Sequence, residues 1–132
     1  MKIEGSIESG MIAQTISSVD DFTAKNGLSK MSRVQMNIVI EEILLADMEK
    51  LGADTVFSLK IIRKNGEIRA YLKIKGISFD PTNPGTPILN RVSASMSSDP
   101  VWNYIDGYSC VDAGIIGETK YDAPRGVSQS GI

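Results

Sequence analysis

Glu41 and Glu42 stand side by side inside a long apolar stretch, and Asp47 follows within two helical turns. Farther along, Asp80 opens the segment Asp80-Pro81-Thr82 shortly after Gly76. Carboxylates so placed suit two kinds of chemistry: orienting a water or hydroxyl for attack, and holding a hard divalent cation through oxygen. A plainer reading stands beside these. Charged residues on a helix most often face solvent or a partner, and an Asp before Pro most often shapes a turn. The chain has no histidine, which removes Ser-His-Asp and Cys-His catalysis, imidazole zinc sites and histidine proton shuttles together. Any chemistry must then run on carboxylates, Lys, Ser/Thr, Tyr or a borrowed cofactor. Asp99, Asp106 and Asp112 are too widely spaced to read as a metal cluster. Cys110 is the only cysteine; it fits a reducing compartment and reads as a small buried hydrophobe in a strand.

The elements that must position these residues follow from periodicity. Residues 2–8, KIEGSIE, alternate weakly and suit a short edge strand, with Gly5 against a central one. Met11, Ile12, Ile16, Val19 and Phe22 recur at helical spacing until Asn26-Gly27 stops the pattern. Ser29 or Ser32 can cap a second helix running to Leu51, with Gly52 ending it. That helix is apolar over more than one stripe and is expected to lie flat on a sheet. Asn65-Gly66 joins two strand-like runs, residues 55–64 and 67–75, as a tight hairpin. Ile68, Ala70, Leu72 and Ile74 share its dry face, and Arg69, Tyr71, Lys73 and Lys75 its wet one. Residues 80–87, DPTNPGTP, form a loop by composition. A short helix over residues 88–96 and a second beginning at Asp99-Pro100 and ending at Gly107 are expected next, the latter with Val101, Trp102 and Ile105 on its apolar side. Ser93, Ser95, Ser97 and Ser98 form a polar connector between them, and residues 108–116 suit a strand. No periodicity extends over residues 122–132. The fold class expected is α+β: a two-layer sandwich with helices on one face of a mixed, largely antiparallel sheet.

A chain of 132 residues suits one domain able to bury a core without a disulfide or metal staple. Fourteen basic residues against sixteen acidic give a net charge of −2 with the basic ones scattered, so no nucleic-acid footprint is expected. No apolar run approaches the roughly 20 residues needed to span a bilayer, and the first ten residues lack a signal-peptide core. A cytoplasmic location is the expectation.

Two stretches resemble the GHKL (histidine kinase-like) ATPase superfamily, nearest the bacterial anti-sigma-factor serine kinases and their regulatory relatives. One runs from Gly27-Leu28-Ser29 through Val39-Ile40-Glu41-Glu42-Ile43-Leu44-Leu45-Ala46-Asp47. The other runs from Lys64-Asn65-Gly66-Glu67 through Gly76-Ile77-Ser78-Phe79-Asp80-Pro81-Thr82. The likeness is clearest over residues 10–85, and the C-terminal third diverges; family members usually close with a helix and two strands. The resemblance implies a catalytic glutamate at Glu42 and a Mg²⁺-holding asparagine one turn later, where this chain has Ala46. An alanine methyl cannot ligate a cation that demands oxygen, and Asp47 could replace it only if the helix were turned by about 100°. It also implies an aspartate two residues before Gly76 to accept from the adenine amino group. Ile74 stands there, at a loss of roughly 1–3 kcal/mol for the unpaired amine. Residues 91–103 contain no glycine to cradle phosphates. Gly76, Asp80 and Ile74 are thus expected to line a hollow shared with Ala46, between helix and hairpin.

From this resemblance the leading expectation is a GHKL-like regulatory domain with no nucleotide cofactor, which binds another protein in bacterial signalling or partner switching. The alternative is an active ATP-binding serine kinase or ATPase with substituted contacts, using ATP and Mg²⁺ with Asp47 on the metal. A third is an unrelated two-layer α/β domain, which parallel strands or helices on opposite sheet faces would favour. One clear C-terminal strand, where the family has two, raises a homodimer in which neighbouring chains exchange a strand.

Overall fold

Ser29 starts the longest helix as expected: its side chain accepts from the backbone N–H of Ser32, and Gly52 stops the helix at φ 104°. Between them lies α2, Lys30–Leu51. Before it come β1, Lys2–Ser6, and α1, Ser9–Lys25, whose first turn is capped by the Glu8 side chain accepting from Met11 N. The computed structural model describes residues 1–94 and 98–116. Asn65 and Gly66, at φ 54° and 78°, form a two-residue turn between β2, Val56–Lys64, and β3, Glu67–Lys75. A short helix α3, Pro87–Ser93, and two strands, β4, Ser98–Ile105, and β5, Tyr108–Ile116, complete the order.

The five strands form one sheet in the order β1-β2-β3-β5-β4, antiparallel at every pairing. Phe57, Leu59 and Ile61 of β2, Ile68, Ala70, Leu72 and Ile74 of β3, and Val111, Ala113 and Ile115 of β5 are buried on one face. Ile12 and Val19 of α1 and Met36, Val39, Ile40, Ile43 and Leu44 of α2 join the same core, which makes the two-layer α+β sandwich. Each Val, Leu, Ile, Phe or Met side chain so removed from water contributes about 1.5–3 kcal/mol. Asp20 ties the two helices together, accepting from Arg33 Nε at 3.2 Å and Asn37 Nδ2 at 3.1 Å. The Asn37 bond first, then Arg33, holds its carboxyl below the ordinary range.

The segment after Asp99-Pro100 corrects the sequence reading. It is strand β4, not a helix, and Asp106 and Gly107, at φ 53° and 83°, form the hairpin turn into β5. The C-terminal third thus contributes α3 and two strands, where the sequence reading expects one clear strand. The helix expected over residues 88–96 is α3, which starts one residue earlier and ends at Ser93. Ser95 and Ser97 of the polar connector lie outside the described residues, as do residues 117–132. No helix among the described residues is long and apolar enough to cross a membrane.

Candidate functional site

The inward stripe of α2 runs through Met36, Ile40, Ile43, Leu44 and then Asp47, all buried. The steps of three and four residues that align them on one helix face carry the stripe from apolar side chains onto a carboxylate. Asp47 is 0% exposed, and neither of its oxygens has a hydrogen-bond partner among the described residues. Desolvation first, and the negative charge of Asp80 second, push its carboxyl from 3.8 up to about 7. Ala46 points about 100° away around the helix. It lines an open hollow of about 620 Å³ on the flank of α2, together with Glu42, Leu45, Glu49 and Thr86.

Glu42 is engaged rather than poised. Its Oε1 accepts from Thr86 Oγ1 at 2.6 Å, and the same Thr86 oxygen accepts from Leu89 N at 3.1 Å. Thr86 is thus the N-cap of α3, with Pro87 at the first helical position. One hydroxyl joins the long helix to the short one.

Gly76 leaves β3 at φ 145°, a conformation that disfavours a side chain. Its N–H donates to the Gly107 carbonyl at 3.1 Å, and its own carbonyl accepts from Tyr104 Oη at 2.7 Å. Phe79 N donates to the buried Ser109 Oγ at 3.3 Å. Asp80 Oδ1 accepts from both Thr82 N at 2.8 Å and Thr82 Oγ1 at 2.6 Å, closing its own turn.

The structure therefore separates residues that the sequence reading grouped. Ile74 is 1% exposed in the core between Phe57 and Ser109 of the flanking strands, and it does not line the hollow that contains Ala46. Asp47 and Asp80 are brought within electrostatic reach of each other, but Glu42 belongs to the flank. Thr86, Ser109 and Tyr104 were missed as positioning residues. Of these, only Thr86 left a signal, since Thr-Pro before an apolar Ile-Leu pair is the sequence form of an N-cap followed by Pro at N1.

In chemical terms the site offers one carboxylate already holding a hydroxyl, one closing a turn, and one buried and pushed up to about 7. Among the described residues no three His, Cys, Asp or Glu side chains converge as a metal-binding group. Cys110 is half-buried, with a long 3.8 Å contact from its Sγ to the Tyr108 carbonyl. No protein-family model matches the chain, and no curated protein is significantly similar to it.

Proposed function

We propose that the chain is a GHKL-like regulatory domain with a degenerate nucleotide site, acting by binding a protein partner in a bacterial signalling or partner-switching pathway of the cytoplasm. The observation that carries this reading is Ile74. At the place where an adenine amino group would need an acceptor, the structure has a side chain sealed in the core. Restoring an acceptor there would mean burying a carboxylate among Phe57, Leu72 and their neighbours. Two further features support it. Ala46 supplies no oxygen to a metal, and Glu42 is occupied by Thr86. The residues present do not fit Mg-ATP.

The scaffold supports the kinship itself. Among the described residues the two N-terminal helices share one face of an antiparallel sheet, and a short helix and two strands follow the first hairpin, so neither arrangement that favours an unrelated domain is found there. The test is calorimetric titration and thermal melting with ATP, ADP and GTP, each with and without Mg²⁺. No heat of binding and no rise in Tm are expected at millimolar nucleotide. A micromolar Kd for Mg-ATP removes the proposal.

One observation favours the second reading, an active ATP-binding kinase or ATPase. Asp47 is an oxygen donor one position along from Ala46 whose carboxylate oxygens have no hydrogen-bond partner among the described residues, although it faces the core, about 100° around α2 from the flank that carries Glu42. That reading expects saturating Mg-ATP to stabilise the fold by about 2.7 kcal/mol at a hundredfold excess over Kd.

A further inference from the structure

Among the described residues no element covers the sheet face opposite the helices, and the charge on that face is divided unevenly. At one end Arg69 donates to Glu67 Oε1 at 3.0 Å and to Asp112 Oδ1 at 2.6 Å, so its charge is neutralised there. At the other end lie Lys2, Lys60 and Lys73 with one carboxylate, Glu4, which bridges Lys2 at 3.6 Å. Lys2 and Lys60 sit directly opposite each other in the β1–β2 ladder, an arrangement of like charges that destabilises a strand pair. Among the described residues neither Lys60 nor Lys73 has an ion-pair partner.

These lysines edge a hollow of about 350 Å³, floored by the half-buried Tyr71 and Tyr108 and by Ser58. Lys73 Nζ lies 4.7 Å over the Tyr108 ring. The register sets a geometry across it. Lys60 faces Tyr71, Lys73 is two residues along β3 from Tyr71, and Tyr108 faces Lys75, two residues farther on. Lys60, Lys73 and Tyr108 therefore form a diagonal across three strands, with about 7–8 Å between successive positions. An extended peptide places its residues i, i+2 and i+4 on one side at intervals of about 6.6 Å, close to that diagonal step.

We propose that this face binds an extended acidic segment of a protein partner. Carboxylates at i and i+2 pair with Lys60 and Lys73, and an aromatic side chain at i+4 rests on Tyr108. Charge complementarity selects this occupant. The basic end is three lysines wide on a chain of net charge −2, while Glu67 and Asp112 share the same face. That footprint is too short and too mixed for a polynucleotide backbone, which needs a continuous cationic track. The inference takes only its class of partner from the protein-binding reading above. Its assay contains no ATP or Mg²⁺, so Mg-ATP binding would refute that reading and leave this site standing, and the reverse holds too.

The test is fluorescence anisotropy with a fluorescein-labelled peptide, Gly-Asp-Ser-Asp-Ser-Phe-Gly, against its counterpart with Asn for both Asp residues. The expected result is saturable, salt-sensitive binding of the acidic peptide alone, weakened about tenfold or more in the K60E/K73E variant and retained in K60R/K73R. Amide chemical-shift mapping on the unaltered protein needs no variant and is expected to place the largest changes at Lys60, Tyr71, Lys73 and Tyr108. The proposal is overturned by no saturation at about 1 mM peptide, by equal binding of the Asn peptide, or by unchanged affinity in a folded K60E/K73E variant. Shifts confined to other strands, or tighter binding of a uridine oligonucleotide than of the peptide, overturn it as well.

Discussion

Replacing Asp47 by Asn leaves a side chain of the same shape that cannot ionise, and the comparison isolates what burial does to this carboxyl. In the unfolded chain Asp47 titrates near its ordinary 3.8, and in the fold near about 7. Between those values the unfolded state has released the proton while the folded state keeps it, so rising pH favours unfolding. Below about pH 4 both states are protonated and above about pH 7 both are ionised, so stability changes only inside that window. The interval of roughly three pH units corresponds to about 4 kcal/mol lost by the wild type on crossing it. Full burial of the group means that solvent screening takes little from this figure. The assay is urea unfolding of wild type and Asp47→Asn at intervals from pH 4 to pH 8. The two should have similar stability at the acid end, with the variant more stable by about 4 kcal/mol at the alkaline end. Asp80→Asn, which removes the second cause of the shift, should narrow the window from above. A difference curve flat across the range would refute the claim that Asp47 is buried without a partner.

Thr86→Val removes both the cap of α3 and the donor to Glu42, and is expected to cost about 1–3 kcal/mol in denaturant unfolding, with Thr86→Ser recovering most of it. Ile74→Ala leaves a cavity in the core and is expected to cost about 2–5 kcal/mol, measured by the urea midpoint, without creating any affinity for nucleotide.

Much of the scaffold was legible because local signals agreed with burial. Ser29 and Gly52 bracket α2, and Asn65-Gly66 is a turn pair that few other conformations tolerate. The β4 strand was not legible for a reason visible in its side chains. Val101 and Ile105 project to the open face, while Trp102 packs against the core. With apolar residues on both faces, the period of two disappears, and a Val-Trp-Ile spacing imitates a helix. Asp106-Gly107 is the decisive cue, as strong a hairpin signal as Asn65-Gly66, but a Gly after an apolar run is equally the form of a helix stop. At the site, Asp47 was considered only as a substitute for Ala46, since a helix with several apolar stripes does not reveal which faces the sheet. The Glu42–Thr86 bond joins residues 44 positions apart, and no local pattern encodes such a meeting.

The segment between β3 and α3 is stitched down at both ends. Gly76 is held by Gly107 and Tyr104, Phe79 by Ser109, Asp80 folds onto Thr82, and Thr86 is moored to Glu42. The middle is held as well: Asn83 N donates to the Asp80 carbonyl at 3.4 Å, and the Pro84 carbonyl accepts from Asn90 Nδ2 at 3.0 Å. Such a strap cannot swing open like a flap over a neighbouring cleft; it rides with the tip of the β4–β5 hairpin as one stiff corner of the molecule.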